Sequence, residues 1–363
     1  MKLVIFGLSM SSSWGNGHAT LWRGLIDALH RRHCAVTFFE RDVPYYSDSR
    51  DISGIDYGDL VIYSDWDTVL AQAKQEIAEA DAILVTSYCP DAVAAARLAE
   101  DARGLLVFYD LDTPVTLDAI SSGRNVDYIG PQGLTQFDLV LSYTGGKTLD
   151  ELRRELGARR VAPLYGHVDP KQYRPVPAMY QYRSHLSYLG TYAHDRQAAL
   201  TELFLKPAAA RTDLRFLIGG AQYPDNFPWL ANLYFVRHLP PTEHPAFFAS
   251  SRLTLNVTRM AMARSGWCPS GRLFEAAACG TAILSDAWEG ISAFYEPGRE
   301  VLLVRNEQDV LEALDATDQQ LARIGEAARE RTLAAHTSDH RADELLRILW
   351  EAPLERQAFA ESA

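Results

Sequence analysis

The sequence predicts an α/β protein built from two doubly wound domains, and three observations carry that expectation. Short apolar runs alternate with stretches of helical periodicity along the whole chain, the pattern of a parallel sheet covered by helices on both faces. The 363 residues are enough for about two or three domains of ordinary size. A stretch with three prolines and few aliphatics, HVDPKQYRPVP at residues 167–177, separates one strand–helix series from a second and reads as a connector.

In the first series, residues 3–6 (LVIF) form a strand that is apolar on both faces, as buried parallel strands are. A helix follows to residue 30, because Leu21, Trp22, Leu25, Ile26 and Leu29 recur on one face. Strand 35–39, helix 69–80, strand 82–85, helix 91–98 and strands 105–109 and 139–142 complete this half. The second series has strands at 187–189, 214–218, 253–256, 282–285 and 301–304, with helices at 196–205, 245–250, 271–278, 308–313 and 319–335. Residues 340–350 form one more amphipathic helix, and the tail after Ala352 is expected to fray. The organisation expected is therefore an N-terminal domain 1–166, a connector 167–182, a C-terminal domain 183–337 and a terminal segment 338–363.

Composition excludes several classes. With 47% apolar and 23% charged residues, the chain is not disordered, collagenous or a disulfide scaffold. A net charge of -12 argues against unspecific binding to nucleic acid. Thirty arginines stand against five lysines, and arginine offers a rigid bidentate fork for phosphate or carboxylate. Four cysteines lie far apart without a C-x-x-C pair, so neither a metal cluster nor a disulfide framework is expected and a reducing cytoplasm fits. No run approaches the roughly 20 apolar residues that span a bilayer. The apolar stretch 3–8 is too short for a signal segment and lacks a cleavage pattern. The expected location is cytoplasmic.

Doubly wound domains bind ligands at the carboxyl ends of their strands, and two of them facing each other would share a cleft there. The loop after the first strand, GLSMSSSWGNGH, is rich in small residues and runs into a helix N-terminus, which favours negative charge. Gly15, Asn16 and Gly17 would line the cleft, and His18 at its mouth is a candidate general base or a loop-ordering residue. A dinucleotide site is the rival, with Gly15-x-Gly17-x-x-Thr20 and Glu40 as the ribose acid. Thr20 in place of the third glycine and the long loop before the pair count against it. Asp110 and Asp112 close a later strand, where either could be a base or a ligand for hydroxyls. An Asp-x-Asp pair can also chelate a cation, but no third ligand stands nearby and no metal is expected. Thr144 and Gly145 form a further small-residue turn at the cleft.

The second half is more specific. Gly190, Thr191 and Tyr192 end its first strand, and Asp195 and Arg196 open the next helix. Ser270 is the expected N-cap of a helix beginning at Gly271, whose free amides could hold a phosphate. Arg259, Arg264 and Arg272 cluster in sequence around that helix start and could add charge-assisted bonds to a diphosphate. Glu275, one turn in, could accept two bonds from a ribose diol. Glu289, Gly290 and Ile291 belong to a further loop and helix at the cleft.

The run PSGRLFEAAACGTAILSD from residue 269, followed by Glu289-Gly290 and FYEPG at 294–298, resembles the donor-binding region of group-1 glycosyltransferases. Within them it looks most like the branch related to the spore-maturation protein CgeB. The connector HVDPKQYRP and the segment 15–24 (GNGHATLWRG) are similar to that superfamily as well. The resemblance covers most of the chain and is strongest over residues 187–304. It implies the GT-B fold, two Rossmann-like domains facing a central cleft, with a nucleotide-sugar co-substrate held mainly by the C-terminal domain. It implies no cofactor and no required metal, and a final helix that crosses back to the N-terminal domain. By the same resemblance Glu275 would bind the donor ribose, and Ser270, Gly271 and Arg272 would lie near the diphosphate. Gly190, Thr191 and Tyr192 would border the nucleotide, and residues 289–292 the transferred sugar. One departure matters: many retaining relatives carry a glutamate eight positions before the one matching Glu275, and here Trp267 stands there, so stereochemistry stays open. The expected function is glycosyl transfer from a nucleotide-sugar to an unidentified acceptor, with His18 or Asp110 as base in an inverting reaction. A sugar-nucleotide epimerase or hydrolase on the same frame is the alternative, and a non-catalytic sugar-nucleotide binder a third reading.

Overall fold

A computed structural model describes residues 1–352, and the expectation about the tail lies outside them. These residues fold as two compact units, Met1–Tyr165 with the described segment from Ser338 onward, and Gly166–Thr337.

The first unit runs β1 (Lys2–Gly7), α1 (His18–His30), β2 (Ala35–Arg41), α2 (Pro44–Ser47), β3 (Asp59–Tyr63), α3 (Trp66–Glu79), β4 (Ala82–Thr86), α4 (Ala92–Leu98), β5 (Leu105–Asp110), α5 (Thr113–Ser121), β6 (Leu139–Ser142), α6 (Thr148–Leu156) and β7 (Val161–Pro163). Its seven strands are ordered β3-β2-β1-β4-β5-β6-β7 and all pair in parallel, Ile5 lying beside Phe38 on one side and Leu84 on the other. β1, β4 and β5 are almost wholly buried, because helices cover both faces of the sheet. Phe6, Val85 and Phe108 anchor one core together with Ala95 and Leu152.

The second unit runs β8 (Ser184–Leu189), α7 (Gln197–Leu200), α8 (Lys206–Ala210), β9 (Phe216–Gly220), β10 (Leu233–Arg237), α9 (His244–Ala249), β11 (Ser251–Asn256), α10 (Met260–Ser265), α11 (Gly271–Ala278), β12 (Ala282–Asp286), β13 (Leu302–Val304), α12 (Glu307–Leu314) and α13 (Asp318–Ala335). Its strand order is β10-β9-β8-β11-β12-β13, again parallel throughout. The chain then returns to the first unit as α14 (Ser338–Glu351), which packs on α1. Arg32 at the end of α1 reaches Asp339 at 2.7 Å, and Asp343 lies within ion-pair distance of the same guanidinium.

Several elements differ from the sequence expectation. The strands β3 and β10, one at an edge of each sheet, add to those expected, although LVIY at 60–63 and LYFV at 233–236 are apolar runs of the same kind as the others. β7, α2, α5, α6 and α10 are further elements beyond those expected. The helix expected at 196–205 continues to Ala210 through a π-helical stretch at Thr201–Leu205. Pro207 there cannot donate to the carbonyl of Leu203, and the turn before it widens. The helix expected after Glu289 is only a 3₁₀ turn, Ile291–Ala293.

Candidate functional site

In an open parallel sheet, ligands bind outside the strand ends where the strand order reverses. In the first unit that point lies between β1 and β4, so the loop leading to His18 and the loop carrying Tyr88 are neighbours. In the second it lies between β8 and β11, which pairs the Gly190 loop with the segment around Arg259.

The first-unit loop is folded onto Glu40. That side chain is fully buried and accepts hydrogen bonds from Ser9 Oγ (2.8 Å), Met10 N (2.8 Å), Ser11 N (2.9 Å) and Ser11 Oγ. Both oxygens are thus engaged in holding the loop, which removes Glu40 as a ribose ligand and with it the dinucleotide reading. Asn16 is structural too: its Nδ2 donates to Ser9 O at 2.9 Å and Ser12 O at 3.2 Å, and its Oδ1 accepts from His18 N at 3.0 Å. Gly15 and Gly17 are exposed.

His18 is the first residue of α1 and half-buried. Its ring lies 6.1 Å from that of Tyr88, and its Nδ1 is buried without a hydrogen-bond partner. Burial pushes its pKa below the usual histidine range, and the nearby negative charge of Asp112 offsets this only in part. Asp112 accepts from Tyr88 Oη at 2.9 Å, and Tyr88 itself sits at a positive φ of 65°, a costly conformation for a bulky residue. Asp110, expected to face a cleft as a base, is 0% exposed. Its Oδ1 accepts from Asp112 N and Thr116 Oγ1, both at 3.1 Å, while Oδ2 is buried without a partner. Burial pushes the Asp110 carboxyl up to about 7, and hydrogen bonds temper the shift. Thr144 and Gly145, expected at the cleft, are buried. The Thr144 backbone is tied at both ends to Ser142 Oγ, 3.1 Å from its N and 2.7 Å from its O. Around the switch point, His18, Asp112 and Tyr88 are the half-buried polar side chains that lie together.

In the second unit, two of the anticipated arginines converge on a residue that sequence reading missed. Tyr188, on β8, is 1% exposed. The Arg272 guanidinium stacks over its ring at 5.0 Å, and Arg196 Nη1 donates to its hydroxyl at 3.3 Å. Arg272 is also held by Leu189 O and by Asn256 Oδ1, the latter at 3.2 Å. Gly190 is required here, because a Cβ would fall 2.7 Å from Arg272 Nη2 and 2.9 Å from Tyr188 Oη. The two guanidinia outweigh burial and bring the Tyr188 hydroxyl below the usual tyrosine range. Burial pulls Arg272 down. Thr191 and Tyr192 continue the same loop, half-buried.

Ser270 caps α11, its Oγ accepting from Arg272 N at 3.3 Å. Glu275, one turn further, lies 4.0 Å from His244 Nδ1. His244 has Tyr173 Oη at 3.1 Å from Nδ1 and Leu239 O at 3.1 Å from Nε2. Burial pushes it down to about 4, so at neutral pH it is uncharged and forms no ion pair with Glu275. The three arginines grouped in sequence have different partners. Arg259 Nε bonds Asp195 Oδ2 at 3.2 Å, and Arg264 is exposed at the end of α10 with Met260 Sδ 3.3 Å away. Arg196 and Arg272 are the two that meet at one side chain, and Arg259 is tied to the residue next to Arg196. The end of β12 fixes the loop after β11: Asp286 Oδ1 accepts from Thr258 N at 3.1 Å and Oγ1 at 2.9 Å. Trp267 N donates to Glu289 O at 2.6 Å, and Gly290 admits the indole, which would lie 2.5 Å from a Cβ there. Ile291 is buried below that turn and Glu289 is exposed. A tyrosine two residues before a glycine loop was the one sequence signal for Tyr188; His244 and Tyr88 left none.

Among the described residues, no group of three or more His, Cys, Asp or Glu side chains gathers as a metal-ligand set. None of the described helices is long and apolar enough to cross a membrane.

Residues 196–347 match a family model described as glycosyl transferase-like. No curated protein matches the chain. Sucrose-phosphate synthase from Thermosynechococcus elongatus is similar in structure with a TM-score of 0.70 at 15% identity, over 99% of each chain. Anabaena HepE in complex with UDP-glucose gives 0.67 at 13%, covering 96% of this chain and 99% of that one. An alpha-glucosyltransferase in complex with UDP-glucose and DNA containing an abasic site gives 0.67 at 12%, covering 97% and 100%. At such identities the likeness is one of fold: two Rossmann-like domains of the GT-B type. The fold and the matched segment together support a glycosyltransferase.

Proposed function

We propose that the chain transfers a glycosyl group from a nucleotide-sugar donor to an acceptor hydroxyl, with the second unit holding the donor and the first supplying the base. The observation that carries this is the pair Arg196 and Arg272 on Tyr188, directly beneath the Gly190 loop at the switch point of the second sheet. A diphosphate there would meet two guanidinia and the N-terminal end of α11, which supply the charge that a metal ion supplies elsewhere. Glu275 lies on the same helix to take a ribose diol, and the turn at 289–291 with Trp267 is left for the sugar. Two of the structural neighbours are complexes with UDP-glucose, and a uridine diphosphate sugar is the first donor to try.

His18 is the better base. It is half-buried and neutral near pH 7, so it can take the acceptor proton as the bond to the anomeric carbon forms and the nucleoside diphosphate departs. Asp110 is too enclosed for that role. One neighbour's complex contains DNA, but a net charge of -12 speaks against that acceptor here. The four cysteines are all free and buried, in keeping with a reducing cytoplasm. The motif around residues 269–286 favours the CgeB-like branch.

The test is calorimetric titration with UDP, GDP, ADP and dTDP, followed by product analysis with the matching sugar nucleotides. One nucleotide is expected to bind, and its sugar to be consumed only when an acceptor is present. Equal consumption in water alone would make the protein a hydrolase, and binding of no nucleotide would end the donor reading.

A further inference from the structure

We infer that Tyr188 is a positioning residue of the donor site, holding Arg196 and Arg272 so that both guanidinia serve one anion. The inference rests on the nucleotide-sugar reading above and deepens it by assigning a role inside the strand beneath the loop.

Two guanidinium groups close together repel, and the repulsion grows as water is excluded. Elsewhere in this unit a carboxylate answers such a group, as Asp195 does for Arg259 at 3.2 Å. At Tyr188 the partners are of another kind. Arg272 is held by a carbonyl, Leu189 O, by an amide oxygen, Asn256 Oδ1, and by the ring face of Tyr188. Arg196 donates to the Tyr188 hydroxyl, and its Nε is buried without a partner. None of these acceptors is a carboxylate, so the positive charge stays available to a ligand. The same tyrosine meets both cations, one through its π face and one through its oxygen, which fixes their separation without neutralising them.

Neighbouring groups reinforce the geometry. Asn256 is fully buried and oriented by its own bond to Ser285 Oγ at 3.0 Å. Tyr223 Oη donates to Gly190 O at 3.0 Å, which pins the loop above. Gly190 gives Arg272 Nη2 room on the loop side, since a Cβ would fall 2.7 Å from that atom. A tyrosine present only to fill the core would need no cation at its hydroxyl; Phe204, whose ring lies 6.3 Å away, fills that role from the other side.

The experiment measures binding of the nucleoside diphosphate that the wild type prefers, in Tyr188→Phe, Tyr188→Leu, Arg196→Ala and the double variant Tyr188→Phe with Arg196→Ala. Thermal unfolding is recorded for each. Tyr188→Phe keeps the ring and loses the bond to Arg196, and its affinity is expected to fall about tenfold, the value of one hydrogen bond to a charged group. Donor KM is expected to rise in parallel while turnover at saturating donor stays near that of the wild type. Tyr188→Leu also removes the stacking on Arg272 and is expected to lose about a hundredfold; if it fails to fold, Tyr188→Phe decides alone. In the Arg196→Ala background the Phe change is expected to have no further effect. Wild-type affinity in Tyr188→Phe, or an undiminished penalty without Arg196, would overturn the inference while leaving the donor reading intact. A wild type that binds no nucleoside diphosphate would overturn both.

Discussion

The two units carry the same parallel α/β topology and opposite chemistry at their strand ends. At the switch point of the first, a histidine and an aspartate face each other across Tyr88, with a second aspartate sealed beneath them. At the switch point of the second, two arginines meet over a tyrosine. An acid–base pair suits proton transfer, and a pair of guanidinia suits an anionic leaving group. On the proposed reading, one fold used twice divides a reaction: the backbone places loops at equivalent positions, and a few side chains decide which half would handle the proton and which the charge.

The largest expected effect comes from removing the proposed base. His18→Ala is expected to lower turnover by about 10²–10⁴ with little change in nucleotide affinity, measured by steady-state kinetics and calorimetry. The wild-type rate should also fall as pH drops through the His18 pKa. That value lies below the usual histidine range because burial disfavours the charged ring, so the acidic limb is expected below pH about 6.5.

Arg272→Lys keeps a charge but loses the fork that spans Leu189 O, Asn256 and the Tyr188 ring. It is expected to weaken nucleotide binding by about a hundredfold, the loss of more than one charge-assisted bond. Glu275→Ala removes a single proposed ribose contact and is expected to cost about tenfold in donor affinity. Unchanged binding in either variant would blur the contrast between the units.

The smallest effect is one of stability. The Asp110 carboxyl is raised to about 7 by burial, so the folded state favours its neutral form. Its contribution is fully present at low pH and is lost as pH rises from the ordinary carboxylate range through 7. Asp110→Asn is therefore expected to raise the melting temperature at pH 8, by an amount worth on the order of a few kcal/mol, and to leave it nearly unchanged at pH 4. A gain independent of pH would mean that the carboxylate is not the cause.

The donor side was legible because its residues are contiguous: Ser270, Arg272 and Glu275 lie on the first turns of α11, and the apolar runs around them mark β11 and β12. The first-unit site was legible at His18 and Asp112 but not at Tyr88. Its members come from separate strand ends, Tyr88 and Asp112 being 24 residues apart, and nothing in the local pattern says that they meet. Burial misled in the same way. Asp110 and Thr144 stand at strand ends like surface residues, yet the packing of α5 and the turn at Ser142 enclose them. The convergence of Arg196 with Arg272 depends on which face of β8 Tyr188 occupies, and pairing within the sheet sets that. Nearness in sequence groups Arg259 and Arg264 with Arg272, but it does not show that Arg259 is tied to Asp195, next to Arg196, or that Arg264 is exposed in the last turn of α10.

The division of labour is tested most directly by titrating UDP into the wild type, His18→Ala and Arg272→Lys under one set of conditions. The predicted result is equal affinity in the first two and binding about a hundredfold weaker in the third. Loss of affinity in His18→Ala, with Arg272→Lys binding as the wild type does, would contradict the assignment of charge to one unit and proton transfer to the other.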